Sequence, residues 1–192
     1  IGCHYRRLAL LMTQPVVAVT RSLPIDAIAA LQGIAEVKLW PSDTPPTPAQ
    51  LQAFAADAEV LICLLTDKID AALLSALPNL RCVSTVSVGA DHIDLAAAAK
   101  QGVAVGITPG VLVDATADLT WALLLGAGRR IVEANQFVKQ GHWQHQNRWQ
   151  LNMMLGVDLA GKTLGVVGLG DNGQAVARRA QGFGMRVIGY NR

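Results

Sequence analysis

Short apolar runs alternate with polar, helix-compatible stretches from Val16 to the end of the chain. Val16–Thr20 reads as a buried strand. Ile25–Gln32 follows the start signal Pro24 with apolar spacing suited to a helix. Val37–Trp40 reads as a second strand. Pro41–Pro48 holds four prolines and so predicts a loop. Pro48 then opens a helix running to about Ala56. Val60–Leu65 is continuously apolar, the pattern of a strand covered on both faces. Asp70–Ala76 predicts a short helix and Arg81–Val86 another strand. Asp94–Lys100 is an Ala-rich helix stopped by Gly102, and Val103–Ile107 is the next strand. Alternation at this spacing predicts parallel βαβ units, hence an α/β layered domain.

Pro109-Gly110 punctuates the chain, and the domain boundary is expected at Thr108–Val111. Asp114–Lys139 then predicts one long helix, with Gly126 and Gly128 as its weak points. Leu119, Ala122, Leu123, Leu125 and Ile131 make it apolar over much of its surface, so it needs cover from more than one side. Gly141–Asn152, rich in Trp, Gln and Asn, reads as an irregular loop. Leu164–Val167 is a new strand, Gln174–Phe183 a new helix and Arg186–Tyr190 the last strand. Residues 1–11 show neither the apolar core nor the cleavage site of a signal peptide, and since the first clean strand follows Met12, they are expected to be an extension from outside the domain, with Met12 as the natural start. Residues 12–108 then form one domain and 109–192 the beginning of a second, incomplete one.

Composition narrows the function classes. With 52% hydrophobic and 16% charged residues, the chain has enough apolar material for a packed core, so disorder is excluded. No apolar run approaches membrane-spanning length, and the run around Leu119–Ala127 is broken by Thr120 and Gly126, so no membrane partner is expected. A net charge of +2 gives no electrostatic case for nucleic acid. Cys3, Cys63 and Cys82 are an odd set at wide spacing, which predicts buried free thiols in a reducing cytoplasm. No Cys/His cluster supports a metal.

Gly168-Leu169-Gly170-Asp171-Asn172-Gly173 is the pattern G-x-G-x-x-G, flanked by the strand Thr163–Val167 and the helix that follows. Gly168 permits a tight turn, Gly170 removes the Cβ that would block a pyrophosphate, and Gly173 lets helix and strand pack closely. The helix N-terminus offers N–H groups to phosphate oxygens. An acidic residue about 20 positions on would bind the ribose 2′-OH of NAD. Asn191 stands 23 positions after Gly168, is not acidic, and is followed by Arg192, which can pair with a 2′-phosphate. NADP(H) is therefore favoured over NAD. Asp171 is the awkward member, because its carboxylate repels a pyrophosphate unless it turns to solvent or caps the helix.

Three ordered stretches, Ser84–Asp94, Thr108–Leu119 and Val166–Arg179, resemble the D-isomer-specific 2-hydroxyacid dehydrogenases, and among them the glyoxylate/hydroxypyruvate reductases. The likeness runs from about Val16 to Arg192. It implies a flavodoxin-like substrate domain and the first part of a Rossmann domain. It implies reduction of a small 2-oxo acid to the 2-hydroxy acid by hydride from a nicotinamide. The N–H groups of Val88 and Gly89 are then expected to hold the substrate carboxylate, with Leu65 and Thr66 lining the same cleft. Thr116 is expected near the nicotinamide, Gly170, Asp171 and Asn172 at the pyrophosphate, and Arg192 at the 2′-phosphate. A homodimer through the 114–139 helix is also implied, with Trp143 or Trp149 reaching a neighbouring subunit. The family's catalytic Arg, Glu and His fall beyond residue 192, so no catalytic residue is expected here and the fragment is expected to be inactive. His92 reads as a turn or capping residue. The alternatives are a sibling dehydrogenase of the phosphoglycerate type, or a non-catalytic nucleotide-sensing protein like the family's co-repressors.

Overall fold

A computed structural model describes residues 14–147 and 149–191. The expected extension 1–11, Met12, Cys3, His4 and Arg192 lie outside the described residues. The chain divides at Pro109–Gly110 into two compact units.

The first unit alternates strand and helix throughout: β1 (Val16–Val19), α1 (Ile25–Ala29), β2 (Glu36–Leu39), α2 (Pro48–Phe54), β3 (Val60–Cys63), α3 (Ala71–Ala76), β4 (Cys82–Thr85), α4 (Leu95–Gln101) and β5 (Ala104–Gly106). All five strands are parallel, in the order β2-β1-β3-β4-β5. That is the flavodoxin-like doubly wound order, in which ligands bind beyond the carboxyl ends of the strands. Ala18, Leu61, Cys63 and Val83 from the strands pack with Leu51, Leu73, Leu74 and Ala98 from the helices. Helix starts are fixed by side chains. Thr47 and Gln50 form a reciprocal capping box on α2, Asp70 bonds the Leu73 N–H of α3, and Asp94 bonds the Ala97 N–H of α4.

The second unit contains α5 (Val113–Gly128), α6 (Ile131–Lys139), a 3₁₀ turn (His145–Asn147), β6 (Thr163–Val167), α7 (Asp171–Ala180), a second 3₁₀ turn (Gln181–Phe183) and β7 (Arg186–Tyr190). β6 and β7 pair in parallel. Trp121 is the hub: its ring stacks on Phe183 at 4.4 Å and its Nε1–H donates to the Val176 carbonyl at 3.0 Å. Arg179 ties α7 to α5 through Asp118 (2.7 Å) and Asp114 (3.0 Å). The small sheet leaves Val167, Ile188 and Tyr190 exposed.

Four expectations need correction. The span 114–139 is two helices, because Arg130 adopts a left-handed conformation (φ 54°) just after Gly128. Such a residue ends a helix, and the Arg130–Glu133 ion pair holds it there. The helix after the glycine loop opens at Asp171, three residues earlier than Gln174, because extended Gly170 already serves as its N-cap. The strand expected over Val60–Leu65 stops at Cys63, where the Asp67 carboxylate takes the Leu64 N–H at 2.9 Å and turns the chain. Cys63 is buried as expected, but Cys82 is only half-buried, at the first residue of β4. No helix of the described residues is long and apolar enough to cross a membrane.

Candidate functional site

At the carboxyl ends of β3 and β4, two loops bound a cleft of about 500 Å³ lined by Leu65, Ser87, Val88, Gly89, Asp91 and His92. Three expected substrate residues, Leu65, Val88 and Gly89, meet there. Thr66 does not line it; its hydroxyl accepts from Arg21 at 3.1 Å. Among the described residues, the N–H groups of Val88, Gly89 and Ala90 have no hydrogen-bond partner. Consecutive donors of this kind form a concavity suited to an anion.

Each loop is braced from beneath. Below Leu64–Asp67, the Asp67 carboxylate is fully buried and collects the Thr20 hydroxyl (2.5 Å), the Leu64 N–H (2.9 Å) and the Arg21 guanidinium (3.0 Å). Arg21 also donates to the Thr20 carbonyl. Both oxygens of the buried carboxylate are thereby hydrogen-bonded, one of them twice, which is the condition for burying such a pair. Below Val86–Ala90, the buried Thr85 hydroxyl meets Ser87 Oγ at 2.8 Å and His92 Nε2 at 2.9 Å. Ser87 Oγ donates to the Gly89 carbonyl at 2.7 Å. Thr108 donates from its N–H (2.9 Å) and hydroxyl (3.2 Å) to the Ser87 carbonyl. Burial pushes the neighbouring Cys63 thiol up to about 11; the Thr85 hydroxyl opposes that shift and the Asp67 charge adds to it. Cys63 is therefore a neutral thiol packed under the cleft.

The sequence reasoning missed Arg21, Asp67, Ser87, Asp91 and Thr108. The available signal was two opposite charges, Arg21 and Asp67, each just past an apolar strand run. His92 is a turn residue as expected, and it also lines the cleft.

In the second unit the three glycines of the loop have separate reasons. Gly168 has φ 93°, which a residue with a side chain rarely adopts. A Cβ on Gly173 would overlap the Gly168 carbonyl oxygen, so this glycine sets the close helix–strand packing. A Cβ on Gly170 would meet nothing within 4 Å, so no protein contact demands a glycine there. Gly168 N–H is spent on the Tyr190 carbonyl (2.8 Å), and Gln174 reaches back to the Leu169 carbonyl (2.9 Å). No side chain caps α7, which leaves its first-turn N–H groups open. Asp171 and Asn172 are exposed in that turn, and Asn191 is exposed beyond β7. Thr116 lies in the first turns of α5, its carbonyl accepting from Thr120 at 2.8 Å. An open helix start with a glycine-lined approach fits a dinucleotide pyrophosphate. Trp143 and Trp149 lie edge to face at 5.9 Å in the loop after α6. Among the described residues no Cys/His/Asp/Glu cluster could hold a metal ion.

A flavodoxin-like parallel sheet, and a second unit with a glycine loop before an uncapped helix, define an α/β protein of two units. Residues 17–186 match the D-isomer specific 2-hydroxyacid dehydrogenase, catalytic domain, and the chain belongs to that family. It is 45% identical over 178 residues to a glyoxylate reductase of Korarchaeum cryptofilum, covering 93% of this chain and 53% of that protein. It is 46% identical over 182 residues to a glyoxylate reductase of Aeropyrum pernix, covering 94% and 54%. Among solved structures it is similar to a protein from Thermus thermophilus at 44% identity and TM-score 0.85, covering 91% of this chain and 55% of that one. It is also similar to a glyoxylate reductase from Paecilomyes thermophila at 28% identity and TM-score 0.76, covering 94% and 56%. The chain spans about half the length of the curated relatives it matches.

Proposed function

We propose that this chain carries the carboxylate-binding turn and the phosphate-binding loop of an enzyme that reduces glyoxylate or hydroxypyruvate to the 2-hydroxy acid with NADPH. One observation carries the reading: Val88 and Gly89, whose N–H groups have no partner among the described residues, line a cleft of a size suited to a compact 2-oxo acid, and the Ala90 N–H beside them is also unbonded. The names of the relatives in two archaea support the substrate class. The nicotinamide supplies the hydride when bound. Gly168, Gly170 and Gly173 shape its pyrophosphate site, with Asp171 and Asn172 in the helix turn that faces it. Thr116 serves the nicotinamide end. Asn191, lacking a carboxylate, favours NADPH over NADH. The pair of apolar helices over 113–139, with Leu119, Leu123, Ile131 and Val132 exposed, suits a second copy of the chain. The free thiols of Cys63 and Cys82 suit the reducing cytoplasm.

Ketone reduction also needs a proton donor beside the carbonyl oxygen. Among the described residues, no imidazole–carboxylate hydrogen bond lines the cleft, and the one bond of His92 there joins its Nε2 to Thr85. The 192-residue chain alone is therefore expected to bind cofactor without turnover. Titrating it with NADPH and NADH, then adding glyoxylate, tests both points. Tighter NADPH binding with no oxidation is expected. Tighter NADH binding overturns the assignment to Asn191, and oxidation of NADPH overturns the inactivity.

A further inference from the structure

The hydroxyl chain beneath Val88 and Gly89 has only one consistent proton order. Ser87 Oγ carries one hydrogen, and the Gly89 carbonyl can only accept, so that hydrogen is committed at 2.7 Å. Ser87 Oγ must then accept from Thr85, whose single hydrogen is committed at 2.8 Å. Thr85 Oγ1 must in turn accept at 2.9 Å from His92 Nε2, which therefore bears hydrogen. The chain runs one way, from the imidazole through two hydroxyls to a peptide carbonyl.

The bonds on the Ser87 and Gly89 carbonyls fix the direction of the free donors. A trans peptide points its C=O and N–H in opposite directions. Thr108 holds the Ser87 carbonyl, so the Val88 N–H is turned away from Thr108. Ser87 holds the Gly89 carbonyl, so the Ala90 N–H is turned away from the Ser87 hydroxyl. The Val88–Gly89 peptide between them is confined by both neighbours. A Gly-containing turn is otherwise free to rotate its peptides and lose the alignment.

We propose that His92, Thr85 and Ser87 are positioning residues: a proton-ordered chain, with His92 as its terminal Nε2–H donor, that clamps the Gly89 carbonyl and so, with Thr108 on the Ser87 carbonyl, keeps the Val88 and Gly89 N–H groups aimed at a substrate carboxylate. This rests on the carboxylate site proposed above. Asp91 stands in the same cleft, with a carboxylate oxygen 3.4 Å from where a Gly89 Cβ would lie. Rotation of the turn would leave an entering anion facing that charge without its donors. Directed donors act by being fixed before the ligand arrives.

The probe is oxamate, an unreactive mimic of a 2-oxo acid, titrated into the 192-residue chain while backbone amide and His ring resonances are followed. In the unaltered chain the Val88 and Gly89 amides shift on addition, and His92 shows a hydrogen-bonded Nε2–H proton. His92→Leu and Thr85→Val weaken oxamate binding on the order of tenfold or more. His92→Gln, which still donates, and Thr85→Ser stay within about threefold of the parent. Slow amide exchange at Leu61 and Val83 checks that the sheet stands in every variant. Equal binding by His92→Leu and the parent overturns this inference and leaves the proposed function intact. Loss of binding in the conservative variants as well, with the sheet intact, overturns the proton order. No oxamate shift at Val88 and Gly89 in the parent overturns the proposed function, and this inference with it.

Discussion

Three of the four helices in the first unit begin on a side chain that bonds their first turn, while none of the three in the second unit does. The loops differ in the same way. Those at the carboxyl edge of the five-stranded sheet rest on side-chain bonds: the buried Arg21–Asp67 pair under one, the part-buried Thr85, Ser87 and His92 chain under the other. The loop between β6 and α7 is held by glycine geometry, one main-chain bond and one glutamine. Burial follows suit. Strand β1 is buried along three of its four residues, and β7 along none. Under the proposed function, a braced loop would keep a few donors pointed at a small carboxylate, whereas an uncapped helix start would leave a whole turn of donors for a diphosphate. The second arrangement gives up cap stability, which the proposed anion would restore.

The largest effect expected from this contrast is at Asp67. Asp67→Ala leaves the Arg21 guanidinium buried without its counter-charge and the Thr20 hydroxyl and Leu64 N–H without an acceptor. Loss of one partner of a buried pair costs about 3–5 kcal/mol. Urea unfolding followed by Trp40, the only tryptophan of the first unit, should show it. A change near zero would mean that the pair is ornamental and the brace lies elsewhere.

Next is Gly173→Ala. The added Cβ overlaps the Gly168 carbonyl oxygen, so strand β6 and helix α7 must separate. Overpacking of this kind costs about 1–3 kcal/mol. It should appear in unfolding monitored at Trp121, which touches α7 through the Val176 carbonyl, and leave the Trp40 transition unchanged. A shifted Trp40 transition would break the separation drawn between the two units.

The alternation of elements was legible because period and punctuation are local: prolines, glycines and apolar runs announce strands and helices without knowledge of their partners. The glycine loop was legible for the same reason, since the constraints on Gly168 and Gly173 act within six residues. The braces were not. Arg21 and Asp67 are 46 positions apart and Thr85 and Thr108 are 23, and only the parallel order of β1, β3, β4 and β5 brings their loops to one edge. The break at Arg130 was half legible. Gly126 and Gly128 marked weakness in the helix, yet the residue that takes the left-handed conformation is an arginine, which usually avoids it. The start of α7 was not legible, because the glycine motif reads as loop to its last glycine whereas its second half is already the first helical turn.

The smallest stability effect, and the sharpest test of the contrast, is at Gly170. Its backbone is extended (φ −70°, ψ −167°), which is the N-cap conformation, and a Cβ there meets nothing within 4 Å. Gly170→Ser can therefore supply the missing cap by accepting a first-turn N–H. The gain over glycine is a few tenths of a kcal/mol, read as a slight rise in the Trp121 transition. The same hydroxyl occupies the approach to the helix start and takes donors a pyrophosphate would use, so dinucleotide affinity falls on the order of tenfold. A variant that becomes slightly more stable and binds NADPH worse is the outcome expected if α7 is uncapped for a ligand. A variant that gains stability and binds as before would mean that the open helix start serves no anion, and that the two units differ in packing alone.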